Sequence, residues 1–534
     1  MSPLTLIFLA PLLTALVLVF VPAREVRALR GLTLVGTGVP LLLAVLMFAT
    51  FDNAPLGPGT IDDLNLNSTN HPATPPEDAP TAVFLEYENG YKFTEHHDWM
   101  PTLGISYHMG VDGINVGLLL MGALVAFAAV CCARDIDRRI KEFHILLLLM
   151  TGGILGAFMS LDIFMMYFLH ELALVPTFIM IGVWGHGQKK NYAAFKITLY
   201  LSVGALLALA GLILLYTQVG AHTFNLLELL DHTSVDDSAL TPDMQETIFG
   251  LLLFGLGILV SLWPFHTWAP LGYAAAPTAT AMMHAGVIKK FGLYMLIRVA
   301  LPLLPEGAQQ WVGLLAALAL GNLLWCGLVA LRQKDFALLL GNSSVAHMGF
   351  VFLGIASVSV IGITGAVLVM IAHGLLAALA FGLAGWLRAQ TGTTDMEKLG
   401  GLLQTMPFVG TAILMALLAG CGLPGFANFA GEATIFFAAW KAEFKVITTI
   451  AVWTALVIGA VYMLRAARHI LHGQVVATPL DGSDAADWFA KLPYALLLAA
   501  LLLFGFWPRL LSDKISPAAE RLVPPGPQQT AQQP

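Results

Sequence analysis

The chain has 534 residues, 58% of them hydrophobic and 11% charged, against roughly 45–50% apolar and about 25% charged in soluble domains. It therefore reads as a membrane protein. Twenty-six basic and 33 acidic residues leave a formal charge of −7, which argues against the basic patch or stripe that a nucleic-acid partner requires. Cys131, Cys132, Cys326 and Cys421 all lie in apolar stretches, with no CxxC or Cys/His grouping, so no disulfide framework, metal or iron–sulfur site is expected. No GxGxxG follows a strand and no Walker A sequence is present, so driving energy must come from an ion gradient or from partner subunits.

Spanning a bilayer as a helix takes about 20 mostly apolar residues. Fourteen such stretches follow one another near 3–22, 30–50, 110–132, 143–160, 162–184, 193–218, 247–265, 274–302, 309–330, 336–357, 359–387, 407–438, 446–469 and 489–508. The first has no basic residues before it and its arginines come after, so it reads as a retained helix and not a cleaved signal. The fold class expected is thus an all-α polytopic membrane protein. Its divisions are 1–109 (two helices and an acidic loop), 110–302 (the third to eighth stretches), 303–470 (the ninth to thirteenth) and 471–534 (the last helix and tail).

Orientation follows from the basic residues of short loops. Arg24/Arg27/Arg30, Arg134/Arg138/Arg139/Lys141, Lys189/Lys190, Arg332/Lys334, Arg388/Lys398 and Arg465/Arg468 all follow odd-numbered stretches, whereas Lys441 and Lys445 fall on the other side. Loops 51–109 and 219–246, on that other side, are acidic. Both termini are therefore predicted on the outer side of a cell membrane.

A charge at mid-membrane costs about 2.5 kcal/mol or more, and such residues usually mark ion pathways. Several stand here: Glu171 in the fifth stretch, His284, Lys289, Lys290 and Arg298 in the eighth, His347 in the tenth, His373 in the eleventh and Glu432 in the twelfth. Carboxylates, amines and imidazoles at similar depth are what a proton relay needs, because burial brings their proton affinities together. Lys196 and Arg298 lie nearer helix ends, where snorkelling to the interface competes with a functional reading. Two stretches are interrupted: the seventh ends in LWPFHTWAP, with Pro264 and His266, and the twelfth contains GCGLPGFANFAGE, with Pro424. Proline frees backbone carbonyls that membrane depth tolerates only inside protein or at a wet cavity. The breaks lie five stretches apart, an odd number, so the second half is inverted relative to the first, a usual pointer to an ion path.

GVDGINVGLLL (Asp112), SLDIFMMYFLHELALVPTF (Glu171), WPFHTWAP (His266), APTATAMMHAGVIKKFGLY (Lys290), SSVAHMGF (His347), MIAHGLLAAL (His373) and GLPGFANFAGE (Glu432) together resemble subunit M (chain 4) of proton-pumping NADH:quinone oxidoreductase, respiratory complex I, within the superfamily shared with cation/proton antiporters. The resemblance implies fourteen helices in two inverted five-helix repeats with broken seventh and twelfth helices. It also implies a proton relay through Glu171, Lys290, His347, His373 and Glu432. NADH, FMN, iron–sulfur clusters and quinone would belong to partner subunits, with no cofactor or metal in this chain, which would sit among other membrane-arm subunits. Members resemble one another in a buried lysine of the seventh helix, which pairs with the helix-5 glutamate, but Leu259 stands about there. His266, His284 or Lys289 is the expected substitute. The competing readings are a subunit of a Na⁺/H⁺ antiporter or membrane-bound hydrogenase, and a structural membrane-arm subunit without a full relay.

Overall fold

A computed structural model describes residues 2–60, 63–64, 81–235, 240–476, 484–485 and 487–523. Residues 61–62 and 65–80 of the acidic loop lie outside the described residues, as does the tail beyond 523. In chain order the helices are α1 (Pro3–Phe20), α2 (Val26–Thr50), α3 (Thr81–Glu88), α4 (Asn115–Cys132), α5 (Ile140–Met159), α6 (Ile163–Trp184), α7 (Lys190–Val219), α8 (Leu226–Val235), α9 (Pro242–Val260) and α10 (Trp268–Ala275). They continue as α11 (278–303), α12 (Pro305–Arg332), α13 (Phe336–Ala356), α14 (Val360–Thr391), α15 (Pro407–Gly420), α16 (Ala427–Lys441), α17 (445–471), α18 (Trp488–Phe506) and α19 (Arg509–Leu522).

Twelve of these are long and apolar enough to cross a membrane. The other two of the fourteen predicted spans are α11, whose ladder is broken by π-turns at His284–Ile288 and Leu296–Ala300, and the interrupted pair α15 and α16. The two predicted breaks are real: α9 stops at Val260 and resumes as α10 at Trp268, and α15 stops at Gly420 before α16 starts at Ala427. α14 is the central helix, its apolar length wholly buried.

Hydropathy misplaced the start of the third span. Residues Ile105–Val111 form a strand, β3, paired antiparallel with β2 (Lys92–Met100), which in turn carries the short β1 (Gly57–Pro58) in parallel. The helix begins only after Asp112, whose Oδ1 accepts from the backbone N–H groups of Ile114 and Asn115 at 3.0 and 3.1 Å. That is an N-terminal cap, which satisfies donors the first turn leaves open. The acidic loop is therefore partly a folded sheet, and the loop at 219–246 contains α8, which packs against α3. Thr5 of α1 bonds Tyr107 of β3 at 2.7 Å and donates to Glu95 of β2. Lys514 of α19 pairs with Asp52 at 2.5 Å. Both ends of the described chain thus lie on the sheet face.

Candidate functional site

Protein groups meet the backbone of the first break. Asn322 of α12 is fully buried, accepts from the Trp263 backbone N–H at 2.6 Å, and donates to the carbonyls of Ser261 and Val345 at 3.0 and 3.1 Å. Trp268 Nε1 donates to the Ile258 carbonyl at 3.0 Å across the same gap. These bonds meet the requirement that backbone freed at membrane depth find partners. At the second break Gly422 has φ +67°, and a Cβ there would stand 2.6 Å from Glu432 Oε2. Only glycine both adopts this backbone without strain and leaves the carboxylate its place.

From α11 a line of ionisable groups crosses the middle of the bundle. Lys290 Nζ donates to the Ala285 carbonyl at 2.5 Å and to His373 Nδ1 at 2.9 Å. When Lys290 is an ammonium it can only donate, and a neutral His373 ring then carries its hydrogen on Nε2. The rings of His373 and His347 are 5.5 Å apart between centroids, and a cavity of about 20 Å³ opens between them, lined also by Ser343 and Ser344. His347 Nδ1 donates to the Ser343 carbonyl at 2.7 Å, which leaves Nε2 facing Glu432 Oε1 at 3.8 Å. A second cavity of about 20 Å³ lies there, with Tyr462 on its wall. A water needs about 10–15 Å³ and polar partners, so each cavity has room for about one. Glu432 Oε1 has no hydrogen-bond partner among the described residues.

The other predicted residues take different places. Lys289 Nζ, also buried, donates to the Ser344 hydroxyl at 2.9 Å and to its carbonyl at 3.2 Å, and stands 5.6 Å from the Tyr273 ring. His284 packs against Tyr273 and Trp268, each 5.5 Å away between centroids. Glu171 is 29% exposed, and its one ion pair among the described residues is with His170 Nδ1 at 3.5 Å. None of His266, His284 and Lys289 comes within ion-pair distance of it, so the expected direct substitution for the lysine missing at Leu259 does not occur. The reason is geometric: Lys289 turns toward α13, whereas Glu171 opens toward the side of the bundle, near the exposed Phe168 and Val175. His266 is buried within the first break, and Lys196 lies 5.9 and 5.8 Å from the rings of Tyr192 and Tyr200, a cation–π setting near the helix end.

Arg298 does not snorkel. It is 1% exposed, and its Nη2 donates to Asp112 Oδ1 at 2.6 Å while Nη1 donates to the Tyr91 hydroxyl at 2.9 Å. Sequence reasoning also passed over His170, Tyr273, Ser343 and Ser344. His170 and the two serines stand inside motifs singled out for their neighbours, and that adjacency was the available signal. Tyr273 carried none. On the face opposite the sheet, a cavity of about 520 Å³ is lined by His186, Asp335, Arg388 and Thr394. All four cysteines are free, and no group of three or more His, Cys, Asp or Glu able to hold a metal is present among the described residues.

Fold and site together define an antiporter-like membrane subunit of the ion-translocating kind. Residues 160–459 match the family model described as NADH:quinone oxidoreductase/Mrp antiporter, TM, and the chain belongs to that family. It is 31% identical over 448 residues to NADH-quinone oxidoreductase subunit M of Rickettsia prowazekii, covering 83% of this chain and 89% of the relative. It is 30% identical over 532 residues to subunit M of Rhodobacter capsulatus, covering 97% and 96%. Among solved structures, a chain of respiratory complex I from Thermus thermophilus with bound NADH superposes with a TM-score of 0.81 at 28% identity, covering 97% of this chain and 99% of that one. A chain of the Mrp complex from Dietzia sp. DQ12-45-1b shares the fold, with a TM-score of 0.79 at 20% identity and 99% coverage of each.

Proposed function

We propose that this chain is the subunit-M member of a proton-pumping NADH:quinone oxidoreductase and carries protons along Lys290, His373, His347 and Glu432. The observation that supports this most is the run itself: an amine bonded to one imidazole, a second imidazole beside it, and a carboxylate, with a water-sized cavity on each side of His347. A proton given up by Lys290 is received at His373 Nδ1, and the Nε2 hydrogen leaves toward the first cavity. His347 takes up and releases at Nε2, since its Nδ1 is bonded to the Ser343 carbonyl, and Glu432 receives across the second cavity. Glu171, paired with His170, sits at the other end of the charged set as the element whose charge biases the line. NADH oxidation, flavin, iron–sulfur clusters and quinone chemistry belong on this reading to partner subunits. The chain lies in the inner membrane with both termini outside, in keeping with the basic loops opposite the sheet face.

The test is NADH-driven proton uptake and NADH oxidation in inverted membrane vesicles containing equal assembled amounts of native chain or Glu432→Gln. Both activities fall together if Glu432 terminates the relay. Unchanged activities reject the relay and favour the structural-subunit reading, for which Leu259 in place of a lysine is the best support.

A further inference from the structure

The polar line does not stop at Lys290. Tyr294 follows it one turn later on α11, and Arg298, within the π-turn at Leu296–Ala300, stands 5.4 Å from the Tyr294 ring, so polar side chains continue toward the sheet face. A path of that kind would let a proton on Lys290 escape directly to the outer side without passing His373 and Glu432.

At its end stands Arg298. Three segments converge on it: Asp112 at the start of α4, Tyr91 just before β2, and Tyr294 one turn earlier on α11. The Tyr91 and Tyr294 rings lie 5.5 and 5.4 Å from the guanidinium carbon. Asp112 is held in turn by its two cap bonds on the same Oδ1 that accepts from Arg298. The Phe158 carbonyl at the end of α5 accepts from both Tyr294 and Asn115, at 3.0 and 2.9 Å. Tyr91, Asp112 and Arg298 are each at most 2% exposed.

We propose that Arg298 is an electrostatic seal that closes the sheet-face end of α11 to protons, so that outward release occurs only through the second repeat. A guanidinium stays charged in proteins and offers donors but no acceptor. It can neither receive a hopping proton nor pass one on, and its charge repels a cation approaching in a low-dielectric site, as arginine does in pores that exclude protons. Asp112 and Tyr91 are positioning residues that hold the charge across the line. More cations stand nearby: Arg521 donates to the Asn89 carbonyl at 3.0 Å beside Tyr91, and Lys514 is anchored on Asp52. This proposal rests on the reading of Lys290 as a relay residue.

Its test separates a seal from a simple brace between α4 and α11. Purified complex in proteoliposomes with an internal pH dye is given an imposed pH gradient without NADH, and the decay rate is measured per assembled complex. Arg298→Gln is expected to dissipate the gradient roughly tenfold faster than native, the change made by about 1.36 kcal/mol off a barrier. Arg298→Lys, which retains the charge, is expected to stay tight. Asp112→Asn also keeps the arginine charge, so it is expected to lower assembly without opening a leak. A native decay rate in Arg298→Gln overturns the proposal, as does an equal leak in Asp112→Asn, because loosened packing would then be the cause. Lys290→Met combined with Arg298→Gln is expected to restore tightness. A leak that persists there leaves the seal standing and removes Lys290 from the path, which refutes the relay reading instead.

Discussion

His373→Leu tests the relay at its shortest link. Leucine matches the imidazole closely enough in size to keep α14 packed against its neighbours, but it takes away the acceptor 2.9 Å from Lys290 Nζ. Lys290 is then left with the Ala285 carbonyl alone. A hydrogen bond to a charged group is worth about 1.5–3 kcal/mol. If that bond lies on the transfer path, its loss appears in the barrier, and at about 1.36 kcal/mol per decade the rate falls roughly 10–150-fold. The stop at His373 Nδ1 is lost with it, so the upper end of that range is expected. The assay is the initial rate of NADH-driven proton uptake in inverted vesicles, read beside NADH oxidation and normalised to assembled complex. Coupled transport predicts that both fall together. Retention of both within twofold at normal assembly would refute the relay, because no other acceptor for Lys290 than the Ala285 carbonyl is recorded among the described residues. Loss of uptake with full oxidation would show that the bond couples transport to turnover without carrying the proton.

Two further outcomes follow from the geometry. Asn322→Leu orphans the Trp263 N–H and the Ser261 carbonyl, while the Val345 carbonyl keeps its bond within α13. At about 1–3 kcal/mol for each unsatisfied buried group, the lower bound is about 2 kcal/mol, and the heat-inactivation midpoint of the assembled complex should drop clearly. An unchanged midpoint would mean that water already serves this break. His186, in the loop between α6 and α7, has its pKa lowered to about 4 by burial and by Arg388 and Lys190. A base with a depressed folded value stabilises the fold above its unfolded pKa of about 6.5, and that contribution is lost as pH falls from there toward 4. Heat-inactivation midpoints of the native complex should fall over that window, and His186→Asn should flatten the dependence. Identical slopes for the two would show that His186 does not titrate there.

Much of this architecture was legible in the residues. The number and order of spans, the two breaks and the residues of the central line all rest on signals contained in short windows: apolar length, a proline or glycine out of place, or a charge where hydrocarbon should be. The start of α4 was not legible to the residue, because Gly110 and Val111 are apolar enough to extend a helix and only pairing with Lys92–Met100 makes them the end of a strand. Arg298 reads as an interface residue from its position near a helix end, yet Asp112, 186 residues earlier in the chain, draws it inward.

The sequence alone therefore determined which groups are ionisable at membrane depth and where the helices give way, since both follow from local transfer free energies and backbone chemistry. Tertiary structure decided which of those groups meet. It set Lys290 rather than Lys289 on His373, left Glu171 with no lysine in ion-pair reach among the described residues, and assigned Asn322 to heal a break 59 residues away. Partners such as these depend on how separate helices rotate and pack against one another, and a π-turn in α11 between His284 and Ile288 is enough to redirect the two lysines that follow it.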